Sequence, residues 1–275
     1  MKEKANWKDY LLLIIFLVFL ISPIIWMFVT SFKENMVIYK IPPEWLPKRP
    51  IITNYLNIFK DKLFMTYYFN NFITSTFTTF ITIFIAILWG YSFSRYRSKS
   101  SNILMIALLS TQMFPVVGII TGLYGTYKTI GLLNTRLGLV LVLTSATLPA
   151  CVWLMKSFFD GVPKELEEAA YIDGCGRLST LFRIIIPISS PGILAIGFYS
   201  FLIAWNDYLY CLTLITSDKL RTLSTGISLR YLGEVSYDWG KVMTVSVMAS
   251  IPLLIVFIFL QKYMVQGLTA GAVKE

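Results

Sequence analysis

Cys151, Cys175 and Cys211 are the thiols that could act as nucleophiles, metal ligands or disulfide partners, but their wide spacing suits neither a disulfide framework nor a metal motif. The chain has no histidine, which excludes Ser–His and Cys–His nucleophiles and His-ligated metal sites. No GxxxxGK[ST] phosphate loop occurs, so nucleotide is not held in that way. Asp207 is the only acid within the long apolar runs, and paired carboxylates are absent there. These residues argue against a polytopic membrane enzyme and against an ion-coupled secondary transporter.

One polar segment is built for contact rather than catalysis. It reads Gly161-Val-Pro-Lys-Glu-Leu-Glu-Glu-Ala-Ala-Tyr-Ile-Asp-Gly174-Cys-Gly-Arg-Leu-Ser-Thr-Leu-Phe-Arg-Ile-Ile-Ile-Pro187. Pro163 suits a first helical turn, and Glu165, Glu167 and Glu168 complement the positive end of the helix dipole. Ala169 and Ala170 favour helix and leave a shallow face for close packing. Gly174, following Asp173, permits the left-handed conformation that ends a helix. A second amphipathic helix, with Leu178, Leu181, Phe182 and Ile185 on one face, is expected to run to Pro187. The pattern predicts a short helix–turn–helix pressed against a partner.

The elements that position this segment are apolar spans. The sequence is 56% hydrophobic with a mean hydropathy of +0.67, and about 20 apolar residues cross roughly 30 Å of hydrocarbon. Spans are expected near 10–30, 71–94, 102–124, 137–157, 188–213 and 242–262, with the polar segment as a loop at 160–187 and a tail at 263–275. The first apolar run is too long for a cleavable signal and lacks a small-x-small site after it, so it reads as a retained span. Pro23, Pro115, Pro149 and Pro252 lie within the runs as kinks, or as flexible points of a transport cycle. Four prolines break residues 31–69 before a short helix near Asn54–Phe59. The net charge of +9 comes from cations clustered between spans, which suits membrane-flanking loops rather than nucleic acid. With the N-terminus inside, the 24 Lys and Arg divide equally between the two sides, so charge alone leaves the topology open.

Glu168-Ala169-Ala170, three residues, Gly174, nine residues and Ile184-x-Ile186-Pro187 resemble the "EAA" signature of ABC importer permeases. Ile186 stands where the family pattern has leucine. The tail, Gln261-Lys-Tyr-Met-Val-Gln-Gly267-Leu-Thr-Ala-Gly271-Ala-Val-Lys274, resembles the C-terminus of the smaller permease of maltose-type carbohydrate importers. Asn54-Tyr55, Pro149 and Trp205-Asn206-Asp207 fit the same group.

The resemblance implies an all-α type I importer permease fold with six spans and a cytoplasmic coupling helix. Glu165, Glu168, Ala169, Ala170, Asp173, Gly174 and Pro187 would then dock on a dimeric ATPase, and Gly267, Gly271 and Lys274 would enter its interface as an extended tail. It implies a second permease subunit, an extracytoplasmic solute-binding protein and a bacterial or archaeal cytoplasmic membrane with both termini inside. ATP and Mg would be used by the ATPase, with no cofactor on this chain. The solute would be a sugar or oligosaccharide, with a glycerol phosphate or polyol as the alternative. Gln112, Tyr124, Trp205, Asn206 and Asp207 are candidates for lining the pathway. Helix-packing hydrogen bonds would equally explain Gln112 and Asn206, interfacial belts Tyr124 and Trp205, and contact with the interface Asp207.

Overall fold

The computed structural model describes residues 6–96, 98–232 and 238–272, the last eleven by backbone alone. The first helix, α1 (Trp7–Ser31), starts in a capping box between Asn6 and Asp9. Its 25 residues extend about 38 Å, enough to cross the hydrocarbon. Two short helices follow, α2 (Asn35–Ile38) and α3 (Thr53–Lys60), and then the long α4 (Lys62–Arg95). The helix α5 (Lys99–Ser110) ends in a 3-10 turn, Thr111–Met113, before α6 (Val116–Thr129). Next come α7 (Arg136–Asp160), α8 (Glu165–Ile172) and α9 (Arg177–Thr180). A π turn, Leu181–Ile185, leads to α10 (Ile186–Ile188) and α11 (Ser190–Trp205). The remainder are α12 (Leu209–Leu214), α13 (Leu223–Tyr231) and α14 (Trp239–Ala272).

Four helices, α1, α4, α7 and α14, are long and apolar enough to span unbroken. Two further spans are bent pairs: Lys99–Met113 with Val116–Thr129 at 100°, and Arg177–Ile188 with Ser190–Trp205 at 80°. Counting each pair as one gives six. The 100° bend is a proline effect. Pro115 disfavours α backbone at the residue before it, and Phe114 is extended at φ −81, ψ 129. The run predicted as one helix over 102–124 is therefore two. The fifth span differs too, since α11 stops at Trp205 and a separate α12 covers Leu209–Leu214. The tail expected to be extended is helical through Ala272, so Gly267 and Gly271 belong to α14. Lys274 lies outside the described residues.

The chain divides into two compact units. One comprises residues 1–65 and 227–251. Within it the end of α1 is a hydrogen-bond hub: Ser31 Oγ lies 2.7 Å from Tyr55 Oη, and the Ser31 carbonyl accepts from Asn54 and Thr244. Asp61, just after α3, pairs with Arg230 of α13 at 2.9 Å and accepts from the Tyr231 hydroxyl at 3.2 Å. Burial pushes the Asp61 carboxyl up. The amides of Phe64 and Leu63, the Arg230 charge and the Tyr231 hydroxyl outweigh that push and hold it below the usual range. A depressed carboxylate stabilises the fold fully above its unfolded value of about 3.9, and that stabilisation is lost as pH falls through the lower folded value. Asp61→Asn should accordingly melt earlier than the parent at neutral pH and lose part of the parent's sensitivity below about pH 4. Melting curves across pH check this.

The other unit comprises residues 66–226 and 252–275. Lipid supplies no hydrophobic drive between spans, so close backbone approach and interhelical hydrogen bonds hold them. Thr82 and Thr147 hydroxyls lie 2.9 Å apart, and Ser200 donates to Thr147 at 3.4 Å, tying α4, α7 and α11 together. Gly192 brings α11 against α7: a Cβ there would meet the Phe158 ring at 2.4–2.8 Å. Gly192→Ala is expected to cost about 1–3 kcal/mol by overpacking. A drop in melting temperature, partly restored by Phe158→Leu, would check it.

Candidate functional site

The loop after α7 is fixed to its own unit from beneath and left open on top. Residues Glu165, Glu168, Ala169 and Ile172 fall at i, i+3, i+4 and i+7 of α8 and share one face. All four are exposed, Ile172 by 87%. The opposite face carries Glu167 and Ala170, both buried. Ala170 is only 4% exposed, so of the two alanines expected to dock, only Ala169 is presented. Ala170 instead faces inward, beside the buried Glu167.

The helix ends as the sequence predicts. Gly174 has φ +81, its N–H donates to the Tyr171 carbonyl at 3.1 Å, and the Cys175 N–H donates to the Ala170 carbonyl at 2.9 Å. These two bonds form a Schellman cap. A Cβ on Gly174 would meet nothing within 4 Å, so this side of the turn is open space. Asp173 and Pro187 are exposed as well.

The anchor beneath is a buried polar network. Glu167 forms an ion pair with Arg95 at the end of α4 and accepts from the Tyr91 hydroxyl at 2.8 Å. Arg95 also donates to the Phe159 carbonyl at 2.9 Å, the Val162 carbonyl at 3.2 Å and Ser94 Oγ at 3.0 Å. Ser94 in turn donates to Asp160, which Lys156 pairs at 2.6 Å. These contacts orient both the end of α7 and the start of α8. Their residues were not legible as a site, because nothing in the spacing of Glu165, Glu167 and Glu168 distinguishes the inward acid.

The second half of the hairpin also departs from expectation. Leu181 and Ile185 are buried among Phe159, Met155, Val152 and Ile196, whereas Leu178 and Phe182 are exposed. The predicted single apolar face is thus split, and the π turn lies where the register changes. Arg177 stacks over the Tyr96 ring at 5.6 Å. Pro187 precedes the bend at Ser189 into α11.

The pathway candidates differ in their surroundings. Gln112 sits exposed in the 3-10 turn, and Tyr124 is exposed on α6. Trp205 is buried, stacked on Phe201 at 5.4 Å and edge-on to Tyr68 at 5.9 Å, so it packs helices rather than offering a ring to solute. Asn206 donates to the Leu202 carbonyl at 2.9 Å. Asp207 is buried. It accepts from the amides of Tyr210 and Cys211 at 3.2 and 3.0 Å, satisfying the first turn of α12.

Known proteins share this architecture. The family described as "Binding-protein-dependent transport system inner membrane component" matches residues 82–270. The sulfoquinovosyl glycerol transport system permease protein SmoH of Agrobacterium fabrum is 33% identical over 92% of this chain and 88% of its own length. The trehalose/maltose transport system permease protein MalG of Thermococcus litoralis is 35% identical over 92% of this chain and 91% of its own. A bacterial ABC transporter involved in the import of the acidic polysaccharide alginate has a chain that superposes with a TM-score of 0.82 at 23% identity, over 96% of this chain and 99% of that one. An apolar helical chain with an anchored, outward-facing EAA loop and relatives of this kind belongs to the binding-protein-dependent transport system inner membrane component family.

Proposed function

We propose that this chain is one permease half of an ATP-driven importer for a sugar or oligosaccharide, and that the outward face of α8 seats in a groove of a separate ATPase subunit. The observation that carries the reading is the division of α8: Glu167 and Ala170 are locked into the spans, while Glu165, Glu168, Ala169 and Ile172 are offered outward beside the open turn at Gly174. A rigidly held, shallow, partly acidic face suits transmission of force. ATP and Mg would be bound by that partner, since this chain has no phosphate loop.

The docking loop, residues 160–187, then lies in the cytoplasm, and the four spans before it put the N-terminus there too. The C-terminal end of α14 falls on the same side and contributes a second contact through Gly267, Gly271 and Lys274. ATPase closure would draw this loop toward its counterpart on a second permease subunit and shift the pair from inward-open to outward-open. A solute-binding protein would deliver the substrate from outside a bacterial or archaeal cytoplasmic membrane. Relatives named for sulfoquinovosyl glycerol and for trehalose and maltose support a glycoside as the class.

Co-purification followed by reconstitution tests this. The chain should isolate with an ATPase and take up glycoside only when the ATPase, binding protein and ATP are present. Solute-stimulated uptake by this chain alone would sink the proposal.

A further inference from the structure

The C-terminal end of α1 carries two adjoining cavities of opposite character. The first, about 440 Å³, is apolar and runs along α1 past Leu17, Ile21 and Ile25 to Trp26, closed by Trp45 and Leu46. Its lining on α1 extends from Ile14 to Val29. That is roughly 22 Å of helix, more than the ~15 Å depth of one hydrocarbon leaflet. The second, about 260 Å³, begins just beyond the last turn of α1 and is lined by Lys33, Lys40, Lys48 and Arg49, against Glu34 and Glu44. The two meet at one place. Trp26 and Trp45 pack edge to face at 5.5 Å, the Lys33 ammonium sits 4.2 Å over the Trp26 ring, and Glu44 and Pro47 flank the Trp45-Leu46 pair.

Lys33 is only 2% exposed, and among the described residues its ammonium has one hydrogen bond, to the Glu44 carbonyl at 2.6 Å. The Glu44 carboxylate pairs with Lys40 at 3.2 Å, so the lining keeps an excess of two positive charges. Burial lowers the Lys33 ammonium from its ordinary range, and nearby Glu44 opposes that. An anion would complete its shell. Amphipathic rings such as these two tryptophans are enriched at headgroup depth.

We infer that these two cavities form one binding site for an anionic phospholipid, its phosphodiester among Lys33, Lys48 and Arg49 and an acyl chain along the Leu17–Trp26 face of α1. The site requires α1 to lie in the bilayer, and it does not depend on which solute is carried. The apolar groove alone would fit any hydrophobic neighbour, but the cationic chamber at its mouth selects a lipid with net negative charge.

Native mass spectrometry of the purified permease complex, titrated with phosphatidylglycerol or with phosphatidylcholine, tests the site. The parent complex should retain phosphatidylglycerol preferentially. Lys48→Gln with Arg49→Gln should weaken that retention about 25-fold, from roughly fivefold for each surface cation, while leaving phosphatidylcholine unchanged. Both side chains are exposed, and the same spectra report whether the complex assembles. Lys48→Gln alone, expected to lose roughly fivefold, serves if the double variant does not assemble. Equal retention of the two lipids by the parent would overturn the proposal. So would unchanged retention in the variants, absence of bound lipid because a partner helix fills the groove, or displacement by millimolar inorganic phosphate, which would mark a site for free anions.

Discussion

Gly174→Asp should abolish coupled uptake while leaving the complex assembled. The turn holds Gly174 at φ +81, where a side chain meets backbone strain even though no neighbouring atom of this chain blocks it. Left-handed backbone costs most residues about 1–2 kcal/mol, and Asp lies at the mild end of that range. The larger effect is the added charge on the face proposed to meet the ATPase, since an unmatched charge in an interface costs several kcal/mol. A combined loss above about 2 kcal/mol corresponds to more than roughly thirty-fold in docking affinity, and ATP hydrolysis should persist without solute movement. Gly174→Asn separates the two causes. It has a similar shape and tolerates the left-handed turn without charge, so it should keep uptake within about threefold of the parent. Full uptake by a normally assembled Gly174→Asp complex would refute the docking assignment.

Arg95→Ala should be the most damaging single change to the loop's support. Arg95 serves four acceptors at once: Glu167, Ser94 Oγ and the carbonyls of Phe159 and Val162. Removing it strands a buried carboxylate, and breaking a buried pair from one side costs about 3–5 kcal/mol. The expected readouts are a fall in the melting temperature of the detergent-solubilised complex and faster proteolysis near residues 160–176. Arg95→Ala combined with Glu167→Ala should cost clearly less than the two separately, because the unpaired charge disappears. Strict additivity would show that Arg95 and Glu167 act independently and that the loop is not held by their pair. Arg95→Lys should recover only part of the loss, since an ammonium cannot fork to carboxylate and carbonyls together.

Much of this design is written locally. Prolonged apolar runs require helices in lipid because backbone groups there have no water to satisfy them. Gly174 announces its own turn, and the Glu168-to-Pro187 spacing carries the family resemblance through local backbone requirements. Even the break at Pro115 was latent in the sequence, since proline restricts the residue before it. What the run of apolar residues conceals is the angle, because 100° of bend changes no hydropathy.

Burial is different, for it depends on what lies opposite. The sequence places Glu165, Glu167 and Glu168 in one helical turn and lets all three complement the dipole. Only the arrival of Arg95, 72 residues earlier in the chain, turns Glu167 inward. Ala170 follows it and leaves Ala169 as the presented alanine. Trp205 and Asp207 carried the marks of a pathway, yet packing assigns Trp205 to Phe201 and Tyr68 and Asp207 to the first turn of α12. The sequence by itself therefore determined the membrane-spanning helices, the EAA loop and its glycine turn, since backbone sterics and hydrophobic run length are local properties. Which acid anchors and which face stays exposed were decided by the tertiary structure alone, because a buried charge is tolerated only where a partner from a distant segment meets it.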